Sequence, residues 1–236
     1  MPLLPDLRQR RHELVEQMDK PDADRELLFN TYRHFARINP IVSGWRGIYR
    51  DSMRPLMRKA GTVRILDIGF GGGDVIRSLE RWTRRDGFSV SFTGIETDER
   101  ALEFVRRLDW PAHVVFEHSP LNQVAGRGDV FDFVISNAVL HHLADDEVAN
   151  FGRSARQCCR SKAIFSDIER HPAAVPLFAP LAKVFCPNSY ACEDGLTSIR
   201  RSFTHIELRQ LLGDSWNVFR KIPFRLVAMA EGLNGE

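Results

Sequence analysis

The chain has 236 residues, of which 43% are hydrophobic, and this is enough to bury the core of one α/β domain with an appended helical region. Its formal net charge of +2 gives no broad electrostatic case for nucleic acid as a partner. No run approaches the length of a transmembrane helix, and the charged stretch Met1–Lys20 lacks a signal-peptide hydrophobic region.

Residues 1–60 are predicted to form an N-terminal helical cap, and residues 61–236 the main domain. Apolar residues at helical spacing predict one helix from residue 5 to the break at Pro21, a second after it and a third beginning at Pro40. Aromatic side chains there either pack against the sheet or wall an apolar substrate cavity, with Tyr32, Trp45 and Tyr49 as candidates. The many arginines of this region are interpreted mainly as a solvated face.

The stretch Val63–Gly73 reads V-R-I-L-D-I-G-F-G-G-G, which predicts a buried strand followed by a glycine turn. The glycines permit positive φ and carry no side chains, so the backbone can approach a ligand closely. Asp74 is expected to cap the helix that follows, and the unit places a ligand crevice at the carboxyl end of the strand. A dinucleotide fingerprint is disfavoured, because Asp74 stands at its third glycine position and would repel a pyrophosphate.

The second strand is expected to end at Glu96, with Asp98 as the N-cap of a helix from Glu99 to Leu108. An acidic side chain at this strand tip can accept hydrogen bonds from both hydroxyls of a ribose. A short third strand follows at 113–116. A fourth is predicted at 131–137, and it leads into A-V-L-H-H-L and an acidic helix start.

Three of these segments resemble the motifs of class I S-adenosylmethionine (SAM)-dependent methyltransferases. They are D-I-G-F-G-G-G from Asp67, the acidic Glu96, and F-D-F-V-I-S-N-A-V-L-H-H-L from Phe131. The resemblance extends over about 63–230. It implies an α/β, Rossmann-like, seven-stranded and mostly parallel sheet with helices on both faces, a C-terminal antiparallel hairpin and the N-terminal helical cap.

The same resemblance implies roles for individual residues. The glycine turn receives the amino-acid portion of SAM, Asp67 acts on its ammonium group and Glu96 binds its ribose. Ser119 stands where an aspartate is usual, so the adenine contact is open between Ser119, His118 and a backbone amide. The full expected cofactor-binding set is Asp67, Gly69, Phe70, Gly71, Gly73, Glu96, Thr97, Ser119, Leu121, Asn137 and Ala138.

His141 and His142 are the candidate catalytic residues, because a neutral imidazole can accept a proton near physiological pH. Adjacent residues point in different directions, so at most one should face the reacting centre, with His141 slightly favoured. The alternative is that one histidine packs against the cofactor while the other bonds to a backbone carbonyl.

A fifth strand is expected from Lys162 to Ile168, with Asp167 at its tip. Prolines in the apolar segment that follows predict short, broken helices in an insertion at about 170–200. The resemblance implies a substrate lid there, whose apolar content favours an aromatic or lipid-tailed substrate; packing on the cap is the alternative. The candidate substrate-binding residues are Tyr32, Trp45, Tyr49, His142, Phe178, Phe185 and Arg200.

A capping box at Thr204 and Glu207 predicts one more helix, and two strands turning at Pro223 end the domain. The four cysteines have no C-x-x-C spacing and are expected to be reduced thiols in a cytoplasmic protein; no metal site is predicted. The oligomeric state is left open between monomer and homodimer.

The resulting hypothesis is methyl transfer from SAM, with release of S-adenosylhomocysteine (SAH), to a small and largely apolar acceptor. An oxygen on an aromatic or polyketide-type compound is favoured over carbon or nitrogen. An RNA or protein methyltransferase is the runner-up within the enzyme class. The near-neutral charge and the absence of N-P-P-Y or D-P-P-Y argue against DNA or an amide nitrogen as the acceptor. A nucleotide-binding oxidoreductase and a non-catalytic SAM-fold binding protein are the alternatives from other classes.

Overall fold

The computed structural model describes residues 6–57 and 61–234, so the ends of the expected cap (1–5 and 58–60) and residues 235–236 lie outside it. A seven-stranded sheet has the order β3-β2-β1-β4-β5-β7-β6, with β7 antiparallel to both of its neighbours. This confirms the predicted α/β fold. The strands are β1 Val63–Ile68, β2 Val90–Glu96, β3 Val114–His118, β4 Phe131–Asn137, β5 Cys159–Ile168, β6 Asn217–Lys221 and β7 Arg225–Glu231.

Helices occupy both faces of the sheet. Their bounds are α1 Arg25–Val42, α2 Trp45–Ile48, α3 Asp74–Arg85, α4 Glu99–Arg106, α5 Leu121–Gly126, α6 Asp145–Gln157, α7 Ala174–Phe185, α8 Ala191–Arg201 and α9 His205–Leu212. No helix of the described ranges is both long and apolar enough to cross a membrane.

Successive buried side chains of the central strands alternate between the two faces of the sheet, so each face has its own hydrophobic cluster. Ile65 of β1 and Phe133 of β4 are buried with α1 to α4, whereas Leu66 and Val134 are buried with α5, α6 and α9. Successive side chains of a strand point to opposite faces, and both faces of this sheet are covered. The parallel strands therefore all end at one edge, where the loops after β1, β2, β4 and β5 meet.

The helix predicted from residue 5 to Pro21 is wrong. Within the described residues before α1, only Gln17–Asp19 form a single helical turn. The segment 6–20 instead runs across the carboxyl edge of the sheet, and side chains from distant elements bond to its backbone. Arg170 donates to the carbonyl of Leu7, and Asp194 accepts from the amides of Gln17 and Met18.

Arg10 is an exception to the solvated face expected of the arginines in this region, whereas Arg8 and Arg11 are exposed. Its side chain is only 7% exposed and lies 3.8 Å above the ring of Phe203. It donates to the carbonyls of His141 and Leu143. Apolar spacing alone predicted a helix here, but long-range hydrogen bonds from Arg170 and to Asp194 satisfy parts of the segment's backbone without helical bonding.

Proline had different effects on the other predicted boundaries. Pro40 lies inside α1 and does not begin a third helix, and α7 continues through Pro180 as one helix. The expected caps at Asp98 and Thr204 are confirmed, the latter with Glu207 completing the capping box. Asp74 is the first residue of α3, after Gly73 at the N-cap position.

Candidate active site

The glycine turn after β1 is built so that no side chain stands between its backbone and the crevice. Gly69, Gly71 and Gly73 all have positive φ, at 74°, 50° and 74°. A Cβ at Gly69 would collide with Val139, and one at Gly73 would lie 2.9 Å from the Trp110 ring. Glycine is therefore required both by backbone conformation and by close packing.

Asp67 lies directly before this turn and is 2% exposed. Its Oδ1 is buried and has no hydrogen-bond partner in the described part of the chain. Burial and the nearby carboxylates of Asp74 and Glu96 raise the pKa of Asp67 well above its ordinary range. A buried carboxyl oxygen without a partner is costly, so this atom is suited to receive a cationic or hydrogen-bond-donating ligand.

Glu96 ends the neighbouring strand and connects it to the turn. Its Oε2 accepts from the amide of Gly71 at 3.2 Å, and its Oε1 accepts from the amide of Thr97 at 2.7 Å. Burial raises the pKa of Glu96, against these backbone hydrogen bonds. The residue expected to bind the ribose of SAM and the turn expected to bind its amino-acid portion are thus in direct contact.

The other expected cofactor residues divide between the crevice and the core. The Ser119 amide donates to the carbonyl of Glu96, and its hydroxyl lies 3.2 Å from Gln123. Leu121 is 8% exposed and packs in the core of one face. Phe70 is buried on the other face, edge-on to Phe116, so only its backbone belongs to the turn.

Asn137 at the end of β4 is held by two donors. Its Oδ1 accepts from the Trp45 indole at 3.0 Å and from the Arg225 guanidinium at 2.7 Å. Ala138 follows with φ of 56°, an unusual value for a residue with a side chain, and its amide donates to the carbonyl of Ser166. Backbone strain of this kind persists only where the surroundings fix it.

His141 is buried between two carboxylates. Its Nδ1 lies 2.7 Å from Oδ1 of Asp167, and its Nε2 lies 3.2 Å from Oε1 of Glu16. Burial lowers the pKa of His141, but Asp167 and Glu16 outweigh it and raise that pKa to about 10. At neutral pH both ring nitrogens of His141 therefore carry a proton, and the ring is a poor acceptor for another proton.

His142 is more accessible. Its side chain is 31% exposed, and its Nδ1 lies 3.1 Å from a carboxylate oxygen of Asp19. The two histidine rings lie 4.2 Å apart between centroids, so they adjoin at the same edge of the sheet. Of the two candidate bases, His142 is the one with a ring open to solvent.

Comparison with known proteins agrees with this geometry. The family model described as "Methyltransferase domain" matches residues 65–162, which span β1 to the first part of β5 and contain the turn, Glu96 and both histidines. Residues 65–162 of the chain therefore belong to a methyltransferase domain family. No curated protein matches its sequence.

Solved structures are similar to this chain in fold at low sequence identity. The plantazolicin methyltransferase BpumL, in complex with a monoazolic desmethylPZN analog and SAH, is 14% identical, with a TM-score of 0.62 over 88% of this chain and 95% of that one. Human N-acetylserotonin methyltransferase with SAM is 12% identical, with a TM-score of 0.62 over 89% and 56%. Magnesium protoporphyrin IX methyltransferase from Synechocystis, with SAH, is 15% identical, with a TM-score of 0.50 over 85% and 84%.

The fold does not bring all the expected substrate-binding residues to the crevice. The buried Tyr32 packs over Gly72 and against Phe104, beside the turn. Trp45 reaches Asn137 through its indole. Tyr49 lies elsewhere: its hydroxyl donates to Asp86, beyond the far end of α3 from the glycine turn.

The three candidates in the insertion also differ in placement. The Phe178 ring packs on Gly195 of α8, whereas Phe185 is 63% exposed at the end of α7. Arg200 has a buried Nε without a partner among the described residues. The insertion between β5 and α9 consists of α7 and α8, and its role as a lid stays a prediction.

The position of Tyr49 leads to a prediction. We expect Tyr49→Phe to lower the free energy of unfolding by about 0.5–1.5 kcal/mol, through loss of the hydrogen bond to Asp86. The KM for the acceptor should not change, because the hydroxyl lies away from the crevice. Urea denaturation and steady-state kinetics measure the two quantities, and a raised KM with unchanged stability would contradict this assignment.

Three side chains near the crevice had no role in the expected site. Asp167 was expected at the tip of the fifth strand but received no role, although an acidic residue there adjoins the ligand edge. Glu16 and Asp19 could not have been predicted, since the segment 6–20 was expected to be helical and nothing local in it points to β4. Their partners are His141 and His142, more than a hundred residues away in sequence.

Proposed function

We propose that the crevice at the ends of β1, β2 and β4 binds SAM and that the enzyme transfers its methyl group to a small, largely apolar acceptor. The observation that carries the cofactor assignment is the buried Oδ1 of Asp67, which has no hydrogen-bond partner among the described residues and lies beside the glycine turn. An α-ammonium group would supply the missing donor and the compensating charge.

The remaining residues fit the rest of the cofactor. Glu96 is partly buried at the next strand tip, where its carboxylate can accept from ribose hydroxyls. In that role the Oε2 now bonded to Gly71 would also serve the sugar. Ser119 and Leu121 follow β3 and would adjoin the adenine, with the backbone or the Ser119 hydroxyl as its polar contact.

The acceptor is proposed to be a small molecule because the similar solved enzymes are named for one. N-acetylserotonin and magnesium protoporphyrin IX are both compact organic compounds with aromatic rings. An oxygen nucleophile is favoured over carbon or nitrogen. The candidate contacts for this acceptor are Asn137, Ala138 and His142 at the end of β4, with Trp45 and Tyr32 packed beside them.

When bound, SAM supplies an electrophilic methyl group on a sulfonium, which is already a good leaving group. The protein's main task is therefore to align the acceptor and to exclude water. Alignment of two reactants can contribute about 7–11 kcal/mol. The fixed Asn137, held by Trp45 and Arg225, gives a rigid wall for that purpose. If a base assists, His142 is the better placed of the two histidines.

The test is calorimetric titration of the full chain with SAH. Glu96→Ala removes acceptors for two ribose hydroxyls, worth about 3 kcal/mol or more, so we expect affinity to fall by roughly a hundredfold. Glu99→Gln is the matched control, because its side chain is 82% exposed in the next helix. Equal affinity in Glu96→Ala and the control would overturn the assignment, as would preferential binding of NAD.

A second prediction concerns pH. Because the pKa of Asp67 is raised, its carboxyl becomes protonated at a pH above its ordinary value of 3.8 and then cannot pair with an ammonium. SAH affinity should therefore fall as the pH is lowered through that raised pKa, approaching about tenfold per unit below it. Calorimetry from about pH 5 to 7 stays below the titration of an α-ammonium. A profile equally steep in Asp67→Asn would assign the effect to another group.

A further inference from the structure

Glu16, His141 and His142 form a cluster outside the proposed SAM crevice. Each offers one ligand atom, and these atoms all lie within 4.8 Å of one another. Glu16 comes from the segment 6–20, and the histidines follow β4. The cluster therefore joins the N-terminal segment to the carboxyl edge of the sheet.

The buried histidine points an unpartnered atom into the cluster. His141 is 2% exposed, and its Nε2 makes no hydrogen bond of acceptable geometry among the described residues. Its other nitrogen, Nδ1, faces Asp167 at 2.7 Å, which leaves Nε2 to face Glu16 at 3.2 Å. Two ligands bound tetrahedrally at 2.0–2.1 Å lie about 3.3 Å apart, so this separation suits a shared cation.

A second layer of hydrogen bonds orients each of the three side chains. Asp167 fixes the His141 ring, Asp19 lies 3.1 Å from Nδ1 of His142, and Ser198 donates to Oε1 of Glu16 at 2.7 Å. With Nδ1 of His142 directed at Asp19, its Nε2 is the nitrogen left for a ligand. Metal-binding histidines commonly have such a carboxylate on their second nitrogen.

No lysine or arginine in the described ranges forms an ion pair with Glu16 or Asp19. Arg10 and Arg201, which lie nearby, donate instead to the backbone carbonyls of His141, His142, Leu143 and Leu14. The two carboxylates therefore keep their negative charge available for a cation at the histidines.

We propose that Glu16, His141 and His142 bind a divalent transition-metal ion of the zinc type. Two imidazole nitrogens and one carboxylate oxygen form a donor set that zinc accepts, and this set leaves a fourth position open for water or a substrate oxygen. The bound ion would clamp the segment 6–20 onto the end of β4. The alternative occupant is a proton, which makes His141 the imidazolium of an ion pair.

The experiment is calorimetric titration of chelator-treated, tag-free protein with zinc chloride in the absence of SAM and SAH, so its result is independent of the proposed methyl transfer. We expect one saturable site. His142→Ala removes a partly exposed ligand and should weaken binding by at least a hundredfold. Asp19→Asn removes only a supporting carboxylate and should weaken it by about ten- to a hundredfold.

His113→Ala is the control, because this histidine has a 45% exposed side chain and lies outside the cluster. Cobalt(II) gives a second readout, with the visible absorption of a tetrahedral site in the unsubstituted protein and the control but not in His142→Ala. Zinc binding should also slow proteolysis of the segment 6–20. Absence of saturable binding, or equal zinc affinity in His142→Ala and His113→Ala, would overturn the proposal and leave the proton as occupant.

Discussion

Replacing Asp67 with asparagine is expected to weaken SAH binding by roughly 10- to 150-fold at pH 7.5 without unfolding the protein. The affinity falls because a charge-assisted hydrogen bond to the ammonium, worth about 1.5–3 kcal/mol, becomes a weak neutral one. The fold should survive because Oδ1 has no partner among the described residues to lose. Removing an unpaired buried carboxylate also relieves a desolvation cost.

Asp132→Asn is the matched control, since Asp132 lies in the neighbouring strand but at its opposite end. There its carboxylate accepts from the amide of Arg64. We expect this variant to lose some stability while keeping its SAH affinity. Calorimetry gives the affinities and thermal unfolding the stabilities. Asp67→Asn with unchanged affinity, or with loss of the folded state, would contradict the proposed division between function and stability.

The carboxyl-edge motifs could be predicted from sequence because they are local. A β-branched run, a glycine turn and an acidic residue at the next strand tip each lie within a few positions, and the parallel topology brings their ends together. The Gly71 amide accordingly donates a hydrogen bond to the Glu96 carboxylate at 3.2 Å. The same locality explains why the capping box at Thr204 was predicted correctly.

The N-terminal segment could not be predicted in this way. Its apolar residues have helical spacing, yet side chains from α8 and from the region following β5 form hydrogen bonds with its backbone. The spacing of apolar residues indicates only which face a helix would bury. It gives no information about distant side chains that can form hydrogen bonds with the same backbone. The environment of His141 has the same origin, because Glu16 belongs to this segment.

The structure therefore changes the interpretation of the two histidines more than that of the cofactor crevice. A neutral base was expected at His141, but a histidine between two buried carboxylates is held in its charged form or shared with a cation. His142, one residue on, keeps one face toward solvent. Neighbouring identical residues thus receive different burial and different partners from their tertiary contacts.

Removing the carboxylate of Asp167, which bonds to His141, is expected to have the largest effect on stability. Asp167 is 2% exposed and uses both oxygens: Oδ1 accepts from the His141 ring and the Ile168 amide, and Oδ2 from the His141 amide at 3.0 Å. Asparagine offers one acceptor oxygen and turns a donor toward the other contacts. We expect Asp167→Asn to lower the free energy of unfolding by about 3–5 kcal/mol, the usual cost of breaking a buried ion pair from one side.

Urea denaturation in the presence of a chelator measures this effect without any bound metal. Asp129→Asn serves as the control, because that carboxylate pairs with Arg127 at the surface and is 38% exposed. Such exposed pairs contribute about 1 kcal/mol or less. If Asp167→Asn cost no more than the control, His141 would not need its second carboxylate to stay buried. The ring would then be neutral and able to accept a proton, as the sequence-based interpretation of His141 as a base requires.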